Sequence, residues 1–115
     1  MRVFDAQALG VEQGAVMLFT DFRDNGPMWA GSGEREVRRR VAFSRPFFAL
    51  PSVSAHIGLW DTDSQTNLRA DLTVENVAKD GFELVFRTWA DTRIARLRAD
   101  WMAIGPVPHP DNWEV

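Results

Sequence analysis

With 115 residues the chain has room for one domain, and 45% hydrophobic with 25% charged residues is the composition of a globular protein. A formal net charge of −3 argues against nucleic-acid binding, and zero cysteines exclude disulfides, thiolate zinc sites, iron–sulfur clusters and cysteine nucleophiles. No stretch approaches the ~20 apolar residues of a membrane span. The start of the sequence lacks the basic region and apolar run of a secretory signal. The expected location is therefore cytoplasmic, or outside the cell or on its surface by a route without a cleaved signal.

In chain order, residues 1–10 show no pattern and are read as an N-terminal segment. Alternation then predicts a first strand over Ala15–Thr20, bounded by Gly14 and Asp21. Asp21 to Gly33 carries Asn-Gly-Pro and Gly-Ser-Gly, which predict a long structured loop with no regular element. Arg35 to Phe43 alternates again, with Val37, Arg39 and Val41 on one face and Glu36, Arg38 and Arg40 on the other. Beyond the Pro46–Pro51 connection, Val53, Ala55, Ile57 and Leu59 share a face, and Trp60 to Thr66 reads as a polar turn. Leu68, Ala70, Leu72 and Val74 form the expected buried side of the next strand. Lys79-Asp-Gly81 turns into Phe82, Leu84 and Phe86. A last strand places Ala95, Leu97, Ala99, Trp101 and Ala103 inward. Residues 106–115 form a proline-rich tail, with Trp113 expected to tuck it against the body. Six strands with short returns and no helix predict an all-β fold, a six-stranded antiparallel β-sandwich.

Twelve of the thirteen basic residues are arginine. Arginine suits bidentate hydrogen bonds and interface ion pairs, so the alternating Arg/Asp/Glu faces predict ordered ladders. As a set they suggest a polar subunit interface, although each pair read singly is a solvated surface contact.

Several short motifs then fall into one order. Val11-Glu-Gln-Gly14 enters the first strand, a loop with Trp and Gly follows, and Arg35-Glu36 stands ahead of Val41-Ala-Phe43. Asn67-Leu-Arg69, Gly81-Phe82, Thr88-Trp89-Ala-Asp91-Thr92 and Trp101-Met-Ala-Ile104 complete the set. In order and spacing this resembles the H-type lectin domain, the module of snail agglutinins and of the C-terminal part of discoidins, over residues 11–105. The resemblance implies a homotrimer whose glycan sites lie in clefts between protomers and favour galactose or N-acetylgalactosamine, the equipment of a cell-adhesion lectin. By the same resemblance Arg69 is the sugar-hydrogen-bonding arginine and Trp89 the aromatic beside the sugar. Ala90 stands where the snail-type pattern has a sugar-contacting histidine. The neighbouring protomer's loop before the second strand supplies a glycine and an aspartate in the family. An ungapped match puts Ala30 and Ser32 there, either side of Gly31. The snail proteins' disulfide is absent, which fits a reducing compartment.

The residue types suit that chemistry. An indole offers a flat wall to the C–H face of a pyranose, and a guanidinium offers directional donors to hydroxyls. One shallow site of this kind reaches about millimolar affinity. Three sites on one particle gain ~10²–10⁴ in avidity. A reading from another class keeps the sandwich without the sugar: a structural oligomerisation or adaptor trimer, as in a phage-like tail or surface appendage.

Other motifs carry less. Asp61, Asp63, Gln65 and Asn67 alternate like a calcium loop, but Thr66 and Leu72 occupy the places that need glycine and an acid, so aspartate-capped turns are expected, with at most one weak calcium contact and no other cofactor. Phe82 and Phe86 faintly match an RNA-recognition strand, and Arg38-Arg39-Arg40 a phosphate patch. Strand geometry splits the arginines between two faces. His56 and His109 have no metal-ligand or catalytic company, Ser32 lacks the Gly-x-Ser-x-Gly elbow, and no acid/base pair is legible, so no enzyme is expected. Trp29 and Trp60 border the loop and turn, as core or as binding surface, and an exposed Trp29 would add a second sugar platform.

Overall fold

A computed structural model describes residues 1–109. Trp113 and the rest of residues 110–115 lie outside the described residues. Six strands, β1 (Ala8–Thr20), β2 (Arg35–Ala42), β3 (Ser52–Thr62), β4 (Asp71–Glu75), β5 (Gly81–Thr88) and β6 (Ile94–Val107), form two antiparallel three-stranded sheets. Their orders are β1-β6-β3 and β2-β5-β4. The central strands β5 and β6 are the most buried, because both edges and the inner face of each are covered.

The inner faces meet over Leu18, Phe82, Leu84, Phe86, Ile94 and Leu97, all buried. Aromatic rings close one end: Phe43 stands edge-on to Phe47 at 5.0 Å, and Phe82 edge-on to Trp101 at 5.2 Å. The inward alternations expected for β2, β5 and β6 are the ones observed. Arg39 turns inward alone among its neighbours and donates from Nη2 to the Leu18 carbonyl at 3.0 Å.

Four expectations are corrected. First, β1 starts at Ala8, seven residues before the alternation becomes legible. Its early half is inverted: Gly10, Glu12 and Gly14 face inward, and Leu9 and Val11 are exposed. The indole of Trp101 lies under Gly14, where a Cβ would sit 2.7 Å from the ring, so this glycine makes room for the largest core side chain. Second, the Asp21–Gly33 segment holds two one-turn helices, α1 (Asp21–Asp24) and α2 (Pro27–Ala30). Pro27 presets the first turn of α2, and Asp21 caps it, its Oδ2 accepting from the Met28 N–H at 2.9 Å. Third, β3 carries a bulge between Ile57 and Leu59. The extra residue turns Leu59 onto the outer face beside Arg98, so it does not share the face of Val53, Ala55 and Ile57. Strand β3 then continues through Trp60 and Asp61, and the turn begins at Asp63, whose Oδ1 accepts from the Gln65 N–H at 2.9 Å. Fourth, β4 begins only at Asp71, and Leu68 is exposed rather than buried.

The charged faces pair within the chain. On the outer face of β2-β5-β4, Arg38 bridges Glu36 at 3.0 Å and Glu75 at 3.4 Å, and Arg87 bridges Glu36 at 2.9 Å and Glu75 at 3.0 Å. This network roofs Val85, which is fully buried although it points away from the core, as the stems of long charged side chains cover apolar surface. On the opposite outer face Arg96 pairs with Asp61 and Arg98 with Asp100. The arginines and acids expected to build one polar interface are thus divided between two faces of the molecule.

Candidate functional site

Every loop that contains a candidate residue leaves the same end of the sandwich, where β1, β3 and β5 finish and β2, β4 and β6 begin. Strand β5 ends at Thr88, and Trp89, the next residue, is 42% exposed. The chain then takes a left-handed conformation at Ala90 (φ 58°) and returns through Asp91 and Thr92 into β6.

Side chains, not a ladder, fix the Asn67–Ala70 segment beside this turn. The buried Thr92 hydroxyl donates to the Asn67 carbonyl at 2.6 Å and accepts from the Arg69 N–H at 3.0 Å. The buried Thr88 hydroxyl donates to the Arg69 carbonyl at 2.5 Å. The Thr-Trp-Ala-Asp-Thr run therefore has two jobs: its threonines anchor the segment carrying Arg69, and its tryptophan faces outward. These threonines replace the backbone partners a longer β4 would have used, which is why that strand is short.

Arg69 projects its guanidinium to Asp91, Nη1 to Oδ1 at 2.5 Å. The Asn67 N–H first, and Arg69 second, hold the Asp91 carboxyl below the usual carboxylate range. Arg69 is thus oriented by one ion pair while its other N–H groups remain available. On the outer side of Trp89 a cleft of about 490 Å³ opens, walled by the indole and Thr88 and rimmed by Glu34, Glu36, Asp71 and Arg87. It is a shallow groove with acceptors and donors interleaved around one aromatic face.

The loop before β2 is brought to the same place within one chain. The Gly33 N–H donates to the Ala90 carbonyl at 2.9 Å. Ala30 ends α2, Gly31 caps it, and Ser32 is exposed. The structure therefore gathers Arg69, Trp89, Ala90 and the Ala30-Gly31-Ser32 loop at one end, with Ala90 and Ala30 contributing no polar group.

The residue that joins these pieces is Arg35, which sequence reasoning marked only as part of a motif. Its guanidinium donates to the carbonyls of Gly33 at 2.9 Å, Pro27 at 3.2 Å, Ala90 at 3.2 Å and Met28 at 3.4 Å. Partial burial pushes its pKa below the ordinary arginine value. An arginine opening a strand one residue after Gly-Ser-Gly was the available signal, since such a loop leaves carbonyls unpaired.

Asp61 and Asp63 are engaged by Arg96 at 3.0 Å and Arg93 at 3.2 Å, and no cluster of three or more metal-ligating side chains occurs among the described residues. His56 stands on the outer face of β3, exposed, 3.7 Å from Asp100.

The family model described as the H-type lectin domain matches residues 38–104. A protein of Fuscovulum blasticum named "ATP synthase subunits region ORF 7" is 50% identical over 108 residues, 94% of each chain. A discoidin-1 polypeptide of Dictyostelium discoideum is 37% identical over 81 residues, covering 70% of this chain and 32% of that protein. The solved structure of wild-type discoidin II from the same organism aligns with a TM-score of 0.74 and 26% identity, over 90% of this chain and 39% of that one. The chain thus spans about a third of the length of the discoidins it matches.

Proposed function

The chain belongs to the H-type lectin domain family, and on that footing we propose that it is a glycan-binding module, not an enzyme, whose site is the Trp89 cleft. The observation that carries this reading is an indole left 42% exposed at the end of an otherwise buried strand, in a groove rimmed by charged side chains. An exposed indole offers a flat apolar face, and the C–H face of a pyranose complements it. Galactose and N-acetylgalactosamine are the favoured sugars: their C–H patch covers an indole while rim hydroxyls reach Arg69, the charged groups of the groove and the Ala30–Ser32 loop.

The working unit is a homotrimer. The outer face of β1-β6-β3 supports this, because Leu9, Val11 and Met17 on the edge strand β1 and Met102 on β6 are exposed there. A flat apolar strip beside an edge strand is a surface that another copy can cover. In the trimer the loop before β2 of one copy closes over the Trp89 cleft of the next, and three weak sites act together on a glycan-coated surface.

A second reading is an oligomerisation or adaptor trimer without sugar binding. It is favoured by Ala90, whose methyl replaces a polar contact, and by the engagement of Arg69 with Asp91. A glycan-array screen with sedimentation equilibrium separates the two. The lectin reading expects a trimer with galactose-type hits that Arg69→Ala and Trp89→Ala remove. A trimer silent to every glycan selects the adaptor, and a monomer overturns both.

A further inference from the structure

A second cleft, of about 430 Å³, opens beside α1 on the side of the β1-β6-β3 sheet and shares no lining residue with the Trp89 groove. Its wall is aromatic. Phe22 and Trp29 meet edge to face at 5.0 Å and 78°, forming a corner. Trp29 is held from behind by Arg93, whose guanidinium lies 4.2 Å from the ring centroid while Nε donates to the Trp29 carbonyl at 2.9 Å. Arg93 is in turn fixed by Asp63 at 3.2 Å. The corner is thus preorganised, yet Phe22 remains 62% exposed, with apolar surface that nothing covers among the described residues.

The opposite rim is polar. Thr20 and Thr62 line it with hydroxyls that have no hydrogen-bond partner among the described residues, beside the Arg96–Asp61 ion pair. Arg23 stands at the mouth, exposed. It makes neither a hydrogen bond nor an ion pair among the described residues. The lining carries two guanidinium groups against one carboxylate. An aromatic corner facing free hydroxyls suits a ring that has both C–H and hydroxyl surfaces. The unpaired cation adds a place for a negative charge, in a volume within the ordinary range for a small-molecule site.

We propose that this cleft is a second saccharide site, selective for a sugar that carries a carboxylate. The pyranose rests in the Phe22–Trp29 corner, Thr20, Thr62 and Asp61 take its hydroxyls, and Arg23 takes the carboxylate. The site stands on its own lining and does not depend on a sugar at Trp89.

The test is a two-dimensional ¹H–¹⁵N NMR titration of the full chain with methyl galacturonide and, separately, neutral methyl galactoside. Galacturonide is expected to shift the Trp29 indole N–H and the Phe22 and Thr62 amides, and galactoside to act there about tenfold more weakly. Arg23→Ala alters only an exposed, unpartnered side chain and is expected to remove that preference. Trp89→Ala is expected to leave the cleft signals intact. Shifts confined to the Trp89 turn, equal response to both sugars, an unaltered Arg23→Ala protein, or loss of the cleft signals in Trp89→Ala would each overturn the proposal.

Discussion

Replacing Arg35 with methionine keeps the aliphatic stem and removes the guanidinium that joins α2, the glycine loop and the Ala90 turn. Three of its contacts, to Gly33, Pro27 and Ala90, lie between 2.9 and 3.2 Å; the fourth, to Met28, is 3.4 Å and weaker. A hydrogen bond to a charged group contributes about 1.5–3 kcal/mol. One guanidinium shared among partly solvated carbonyls does not give the full sum, because water replaces some of its donors in the variant. A loss of about 2–3 kcal/mol follows, and for a domain of this size that lowers the melting temperature by about 8–12 °C. Arg35→Lys keeps the charge, but a single ammonium does not span four carbonyls, so it is expected to recover less than half of the loss. Thermal unfolding followed by circular dichroism gives the stability, and the Ala90 amide shift in NMR gives the local effect. A methionine variant that melts within about 2 °C of the parent, with the Ala90 amide unmoved, would show that the loop and turn are held by something other than this arginine.

Other outcomes follow from the packing and charges described above. Phe82→Ala empties a fully buried site between Phe43 and Trp101 and is expected to cost about 3–5 kcal/mol by urea denaturation. A loss below about 1 kcal/mol would mean that this end of the core collapses freely. Asp91 has its carboxyl below the ordinary range when folded, so its contribution to holding Arg69 is fully present above the ordinary carboxylate value. It is lost only as pH falls through the lowered one. Sugar affinity at Trp89 is therefore expected to stay flat from pH 8 to about 4.5, and a midpoint between pH 5 and 6 would exclude Asp91 as the group that orients Arg69. Val11→Asp puts a charge into the exposed apolar strip of β1 and is expected to yield monomers in sedimentation equilibrium, with a parental circular dichroism spectrum. Trimers at the parental affinity would place the contact between copies on another face.

The inward faces of β2, β5 and β6 were legible because their apolar residues recur at every second position opposite charged ones. The first half of β1 was not, because its inward residues are Gly10, Glu12 and Gly14, chosen by what they make room for. Gly14 yields space to Trp101, and Glu12 turns to the Phe43–Pro51 connection, its Oε1 accepting from the Ser44 hydroxyl at 2.8 Å. The β3 bulge reverses a face after Gly58 without interrupting the apolar letters, so alternation alone carries Leu59 to the wrong side. Asn-Gly-Pro reads as a break, and here it is also the start of a one-turn helix capped by Asp21, six residues ahead of its first residue. At the candidate site, Trp89 and Arg69 stand out in the sequence through the motif that contains them. Arg35 was missed because its partners are main-chain oxygens, which leave no trace in side-chain spacing.

Ala90 adopts a backbone basin that alanine enters at some cost and that Asn, Asp and His visit several times more readily than other side chains. The position beside the tryptophan thus accommodates such a residue more readily than the methyl it holds. Substituting histidine or asparagine there asks no rearrangement of the main chain, since the Gly33 and Arg35 bonds to its carbonyl do not involve the side chain. A polar group can thus be set beside Trp89 by changing a single codon while the scaffold beneath it stays the same.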